Sequence, residues 1–277
     1  GSAAVAPQSA ERLPANKQSF GARLKKSFIK YNWLYVFLIP TVLFYILFCY
    51  VPMGGIIIAF KKYTGALSIW ESKWVGIKWF KSFFNSYFAK TIITNTLVLS
   101  FYGLLTFPLP ILVALMINEV RNAKFQKAIQ TIMYAPHFIS TVVLVSMLRI
   151  FFADSGLINM LLQNLGEGSI KFLTSPEAFP HLYTWSYVWQ DLGWNCIIYV
   201  AALSSVDPAL HEAATLDGAS RLQRIWHINI PTIMPTIMVT LIMRVGNIMA
   251  SNTDKVLLMI NDLNADTAEV IGSFVYD

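Results

Sequence analysis

Two ionisable side chains, those of Asp191 and Arg244, interrupt long apolar runs of this sequence. A charge inside such a run is costly, and it usually faces a water-filled cavity or a partner helix. An indole and two planar amides lie close by in the sequence, namely Trp189, Asn195 and Asn247. Stacking aromatic rings combined with planar polar groups can hold a polar ligand. These five residues are therefore the candidate substrate-binding residues.

The polar residues of the apolar runs also have interpretations that involve no ligand. Asp191 and Arg244 could pair with each other across two helices, and Asn247 could hydrogen-bond a neighbouring helix. Arg149 stands near the end of its apolar run, from where a long side chain can extend to the membrane surface. His137 follows a proline in an apolar run, which favours packing or a contact at a helix end over catalysis.

The segment 207–220 carries the local signals of a short helix that ends in a sharp turn. Asp207 is a good N-cap, and Pro208 is a good first helical residue. Gly218 suits the left-handed position that ends a helix, and Ser220 can cap the helix that follows. The sequence therefore predicts a helix over 208–216 with a tight turn at its C-terminal end.

The middle of this short helix is small and carries one acid, Glu212, beside Ala213 and Ala214. Small side chains let a helix seat deeply in the groove of a partner protein. A carboxylate at such a seat can receive a bidentate arginine. The chemistry indicated for this loop is protein docking.

Composition places most of the chain in a membrane. Hydrophobic residues make up 56% of the 277 residues and charged residues only 13%, whereas soluble domains carry about 25% charge. Apolar runs long enough to cross a bilayer cover residues 31–60, 91–118, 128–148, 182–206 and 225–250. The sequence therefore predicts an all-α, polytopic membrane helical bundle with five visible spans.

Charge sets the expected orientation. Basic residues precede the first apolar run and mark the cytoplasmic side: Arg12, Lys17, Arg23, Lys25, Lys26 and Lys30. Residues 1–30 are expected to form a cytoplasmic tail with a basic surface helix, and 31–277 the transmembrane domain. The net charge of +6 is local and does not indicate nucleic-acid binding. The lysine-rich segment 61–90 departs from the charge rule, and its many aromatic residues suit either an interfacial belt or a docking surface for an external partner.

The loop at 207–231 resembles the EAA loop of ABC importer permeases. The residues that carry the resemblance are Glu212-Ala213-Ala214, Gly218, Ile228, Ile230 and Pro231. Ile230 departs from the leucine that the family usually has, which is a harmless exchange. Residues 31–275 are similar to the sugar-permease branch, of the maltose and glycerol-phosphate type, and within it to oligosaccharide permeases of the alginate-importer type. The stretches 50–53, 118–122, 135–140 and 217–219 carry this wider similarity.

The resemblance implies the transmembrane domain of a type I ABC importer in the bacterial inner membrane, with a sixth span expected beyond Asp277. It implies that 208–216 is the coupling helix, with Glu212, Ala213, Ala214, Asp217, Gly218 and Ala219 as the ATPase-coupling residues. The implied partners are a second homologous permease, two cytoplasmic ATP-binding subunits that hold ATP and Mg²⁺, and an extracytoplasmic solute-binding protein. An acidic, alginate-like oligosaccharide is a sharper hypothesis, because arginine suits forked carboxylate binding.

No catalytic residues are assigned to this chain. It has no phosphate loop of the Gly-x-x-x-x-Gly-Lys-Ser/Thr type, and no cofactor is predicted for it. Cys49 and Cys196 lie far apart in apolar runs, which favours two buried apolar side chains over a disulfide or a metal site. The alternative function is a secondary transporter driven by an ion gradient, which would use the same intramembrane Asp191 and Arg244 but no coupling loop.

Overall fold

The computed structural model describes residues 30–65, 68–249 and 252–276, so the predicted N-terminal tail up to residue 29 lies outside the described residues. The described residues form helices and no β-strand, which confirms the predicted all-α fold. The α-helices of four or more residues are α1 Asn32–Tyr45, α2 Lys78–Phe84, α3 Tyr87–Leu105, α4 Pro108–Asn118, α5 Ala123–Tyr134, α6 Thr141–Phe151, α7 Leu157–Asn164, α8 Ala178–Leu203, α9 Pro208–Leu216, α10 Arg221–Arg224, α11 Ile230–Gly246, α12 Thr253–Met259, α13 Ala265–Ala268 and α14 Ile271–Tyr276.

The described residues fall into two compact units that divide after Ser82. In the first unit, α1 continues through a π-helical turn (Ile46–Tyr50) and a 3-10 helix (Gly54–Phe60). The segment after this helix then folds back on itself: Lys61 and Trp74 form an isolated antiparallel bridge, and the Phe60 and Trp74 rings stack with centroids 5.7 Å apart. Both interpretations of this aromatic segment stay predictions.

Three continuous helical stretches are long and apolar enough to cross a membrane: Asn32–Phe60, Tyr87–Asn118 and Arg221–Gly246. They correspond to the first, second and fifth predicted spans. The fourth predicted span is α8, which has 26 residues but is too polar to belong to that set. The helix runs from Ala178 to Leu203, so each end lies about one turn before that of the predicted span 182–206.

The third predicted span is broken rather than continuous. Helical residues Ala123–Phe138 and α6 meet at an angle of 95°. Ile139 is extended at the break, and the Ser140 hydroxyl caps α6 by accepting a hydrogen bond from the Val143 amide. The prediction of one continuous helix was wrong because Pro136 disrupts the helix that precedes the break, and Ser140, four residues later, caps a new one.

The central helix of the second unit is α8. Its residues Cys196, Tyr199 and Leu203 are buried in a cluster with Leu115 of α4 and Ile233 of α11. Lipid tails are as apolar as these side chains, so van der Waals packing between the helices holds the cluster together. The prediction that both cysteines are buried is wrong for Cys49, whose side chain is exposed in this chain.

The segment that follows the fifth span packs on the N-terminal halves of α3 and α8. Asn95 of α3 donates from Nδ2 to the carbonyl oxygens of Asp266 and Glu269, 2.9 and 3.0 Å away. The Lys255 side chain is buried beneath this segment, and its Nζ donates to the Tyr183 carbonyl oxygen at 3.1 Å. Burial lowers the pKa of Lys255 to about 8, although Asp191 opposes the shift.

This buried ammonium predicts a pH-dependent stability. The folded pKa of about 8 lies below the ordinary value of 10.5, so the unfolded chain binds more protons between these two values and stability rises with pH across that window. We expect Lys255→Met to remove this dependence. The measurement is the thermal midpoint of each detergent-solubilised protein. The midpoint of the wild type minus that of the variant should rise from pH 7.5 to pH 10. A constant difference across that range would contradict the assigned environment of Lys255.

Candidate functional site

Two adjoining cavities of about 270 and 450 Å³ lie between α3, α8 and α11. Gly103, Tyr187, Arg244 and Asn247 line both of them. The larger cavity also has Asn195 in its wall. Three of the predicted substrate-binding residues, Asn195, Arg244 and Asn247, are therefore brought together from two spans that are separated by the loop at 207–220.

The Arg244 guanidinium is held by its neighbours and not by a carboxylate. Its Nη1 donates to the Tyr187 hydroxyl at 3.3 Å, and its Nη2 donates to the Gly103 carbonyl oxygen at 3.4 Å. The guanidinium carbon also lies 5.4 Å from the centroid of the Tyr187 ring, a cation–π contact. Among the described residues no acid lies within salt-bridge distance of Arg244, so the expected alternative of an Asp191–Arg244 pair is wrong.

Gly103 leaves the space that the guanidinium occupies. A Cβ at this position would lie 2.9 Å from Nη2 of Arg244, closer than real Cβ contacts. Tyr187 and Gly103 thus fix where the positive charge meets the cavity. Sequence reasoning missed both, although Tyr183 and Tyr187 stand four residues apart and share one face of α8.

Asp191 is paired with a residue of the broken third span. Its Oδ1 lies 2.7 Å from Nδ1 of His137, and the His137 ring stacks on Trp194 with centroids 4.2 Å apart. Next to it, Gln190 donates from Nε2 to the Ile139 carbonyl oxygen at 2.7 Å. His137 is therefore more than a packing residue, because it anchors the break between α5 and α6 to the middle of α8.

The remaining candidates have different surroundings. Neither cavity includes Asp191 or Trp189 in its lining, and Trp189 is half exposed. Trp189 precedes Asn195 by six residues, which turns its side chain about 120° away around the helix. Asn247 donates from Nδ2 to the Met243 carbonyl oxygen of its own helix, which leaves its Oδ1 available to the cavities. Arg149 donates from Nη2 to the Leu258 carbonyl oxygen at 2.6 Å, and its expected extension to the membrane surface stays a prediction.

The loop at 207–220 has the predicted structure. The helix α9 covers Pro208–Leu216, and the Asp207 side chain caps it by accepting from the Ala209 amide. Gly218 has a φ of 80°, and Ser220 forms a capping box with Gln223 at the start of α10. The local interpretation of this sequence is confirmed, and the docking role of the loop stays a prediction.

Apolar side chains surround the turn that ends α9. Leu216 is 89% exposed, and Leu222 and Trp226 beyond the turn are 77% and 69% exposed. Glu212 is also exposed, and α9 has no buried residue. Large exposed apolar side chains grouped beside an exposed acid are typical of a protein–protein contact. Within the described ranges, no three His, Cys, Asp or Glu residues are grouped so as to hold a metal ion.

Comparison with known proteins gives consistent matches. Residues 106–260 match the family described as "Binding-protein-dependent transport system inner membrane component". The chain is 41% identical to Protein LplB of Bacillus subtilis (strain 168), over 93% of this chain and 80% of that protein. It is 43% identical to the polygalacturonan/rhamnogalacturonan transport system permease protein YteP of the same organism, over 92% of this chain and 80% of that protein.

The fold matches solved structures as closely. One is a crystal structure of a bacterial ABC transporter involved in the import of the acidic polysaccharide alginate. Its matching chain is 40% identical with a TM-score of 0.84, over 92% of this chain and 86% of that one. A second is a bacterial alginate ABC transporter in complex with an alginate pentasaccharide-bound periplasmic protein, with the same identity and TM-score over 92% and 85% of the two chains.

Proposed function

Because this chain belongs to the family of binding-protein-dependent transport system inner membrane components, we propose that it is the permease subunit through which an ABC importer moves an acidic oligosaccharide into the cell. It is a multi-pass protein of the inner membrane with the type I importer transmembrane fold. The observation that carries the substrate assignment is the Arg244 guanidinium in the wall of two cavities, which has no carboxylate partner among the described residues.

A carboxylated sugar fits this site for an electrostatic reason. The guanidinium is held by a tyrosine ring and a carbonyl oxygen, and a uronic-acid carboxylate would supply the counter-charge that the described residues do not. Guanidinium groups bind carboxylates through paired hydrogen bonds. Asn195, Asn247 and Trp194 in the same walls offer amides for hydroxyl groups and a ring for stacking. The relatives named for polygalacturonan and alginate support the same substrate class.

The loop at 207–231 would couple this cavity to ATP hydrolysis in separate subunits. In this proposal α9 seats in a groove of a cytoplasmic ATP-binding subunit, Glu212 meets a cation there, and Leu216 fills an apolar part of the groove. Two such subunits would hold ATP and Mg²⁺, a second homologous permease would complete the membrane domain, and an extracytoplasmic binding protein would deliver the sugar. The N-terminus would lie in the cytoplasm.

Breaking the loop tests this proposal. We expect Glu212→Ala combined with Gly218→Pro to abolish the stimulation of ATP hydrolysis by sugar-loaded binding protein, in the complex reconstituted in liposomes. The proline ring fixes φ near −65° and is incompatible with the φ of 80° at Gly218, so α9 would point in a different direction. The measurement is phosphate release with binding protein added in its empty and loaded forms.

Arg221→Met is the matched control, since Arg221 is exposed near the same turn and has no described hydrogen bond from its side chain. Stimulation should survive in this control. If hydrolysis never depends on the loop, while uptake is sensitive to ionophores and insensitive to vanadate, an ion-gradient transporter becomes the better reading of the cavity.

A further inference from the structure

The coupling helix α9 has little besides its C-terminal turn to hold it in place. None of its residues is fully buried, so packing against the other described residues holds its direction only weakly. The turn itself has two backbone hydrogen bonds: the Gly218 amide donates to the Thr215 carbonyl oxygen, and the Ala219 amide donates to the Ala214 carbonyl oxygen. Gly218 is the most permissive residue type at such a position. At its C-terminal end, a helix joined to α10 only in this way would pivot at the turn.

One side-chain contact crosses the turn. Arg224, the last residue of α10, donates from Nη1 to the Thr215 hydroxyl oxygen in the last turn of α9, at 2.5 Å. The Thr215 hydroxyl in turn donates to the His211 carbonyl oxygen at 2.6 Å, which orients its lone pairs for the arginine. Within the part of the chain that the structure describes, this is the side-chain hydrogen bond that joins α9 to α10.

Arg224 lies on the same continuous helical stretch as Arg244. Residues Arg221–Gly246 form one helical stretch of 26 residues that begins at α10 and ends at the cavity. At 1.5 Å per residue, the two arginines are about 30 Å apart along it. One end of this helix is therefore bonded to α9, and the other end presents the cavity's guanidinium.

We propose that Arg224 is a positioning residue for energy coupling: its bond to Thr215 makes α9 and the fifth span turn as one body, so that movement of the ATP-binding subunits reaches Arg244. This proposal rests on the proposed function of the chain as a permease. Without the bond, α9 still docks, but part of each ATP-driven movement is lost as pivoting at Gly218.

The test is the number of sugar molecules transported per ATP hydrolysed by the complete complex in liposomes. Sugar-loaded binding protein is present in excess. We expect Arg224→Met, which keeps an unbranched stem but is shorter and has no donors, to lower this ratio by up to about tenfold, since a hydrogen bond from a charged donor is worth on the order of a factor of ten. Thr215→Val should lower it similarly, and the double variant should be no worse than either single one. Arg224→Lys should restore part of the ratio.

Arg221→Met is again the control, with an unchanged ratio. If Arg224→Met lowers uptake and hydrolysis in proportion, or if its effect adds to that of Thr215→Val, the bond is merely structural and the proposal is overturned. Failure of the permease assignment would look different, because the wild-type complex would then show no sugar-dependent hydrolysis at all.

Discussion

Replacing Arg244 by alanine is expected to lower the uptake of an acidic oligosaccharide by one to two orders of magnitude. The loss follows from removing a charge-assisted, paired hydrogen bond worth about 1.5–3 kcal/mol. Arg244→Lys keeps the charge but lacks the paired donors of the guanidinium group, so an intermediate loss of uptake is expected. The measurement is initial uptake of a labelled uronic-acid trisaccharide by liposomes that contain the whole complex and its binding protein.

Two comparisons sharpen this experiment. A neutral trisaccharide of the same length should not lose transport in Arg244→Ala, since no carboxylate is available to it. Gly103→Ala should weaken acidic uptake without removing any polar group, because its Cβ would lie 2.9 Å from the guanidinium and displace it. If acidic uptake is unchanged in Arg244→Ala and the neutral sugar is no better transported, the acidic-substrate assignment is wrong.

Gly193→Ala is expected to prevent normal packing of the membrane domain. An added Cβ would lie 2.0 Å from the Met133 carbonyl oxygen, which belongs to the backbone of α5 and cannot rotate away. Forcing extra atoms into a packed core usually costs about 1–3 kcal/mol, and a contact this short with backbone places the variant at or beyond the upper end. The measurement is the yield and thermal midpoint of monodisperse protein in detergent.

Gly54→Ala is the matched control. Apart from its chain neighbours and its own helix backbone, a Cβ at Gly54 would meet no atom of the described residues of its unit within 4 Å, so the change should stay within about 1 kcal/mol of the wild type. Equal behaviour of the two variants would mean that α5 and α8 do not approach each other as closely as described.

Local signals predicted local structure well. The bounds of α9 follow from Asp207, Pro208 and Gly218, because capping, a fixed φ and a left-handed turn each depend on residues within a few positions. The runs that became the first, second and fifth spans were visible for a similar reason, since length and apolarity are properties of one segment. The direction taken by the chain at Pro136 was not visible, because the apolar run continues through the break.

Contacts between helices were predictable only in part. The cavities are lined, as expected, by Arg244, Asn195 and Asn247, because a polar side chain in an apolar helix usually faces a cavity or a partner helix. The partner of Asp191 could not be read from the sequence: His137 is 54 positions away, and it reaches α8 only because the third span breaks next to it. The rotation of α8, which turns Tyr187 toward the cavity and Trp189 away, is likewise fixed by neighbouring helices.

The break in the third span has a consequence for how the protein is made. Backbone that leaves the helical pattern is tolerated inside a bilayer only where protein satisfies its polar groups, and here Gln190 of α8 does so for the Ile139 carbonyl. That glutamine is synthesised about fifty residues later. Before Gln190 is inserted, the third span would expose an unsatisfied carbonyl oxygen to lipid. We therefore expect the insertion machinery to release the third span only together with the fourth span. The two spans should enter the bilayer as a pair.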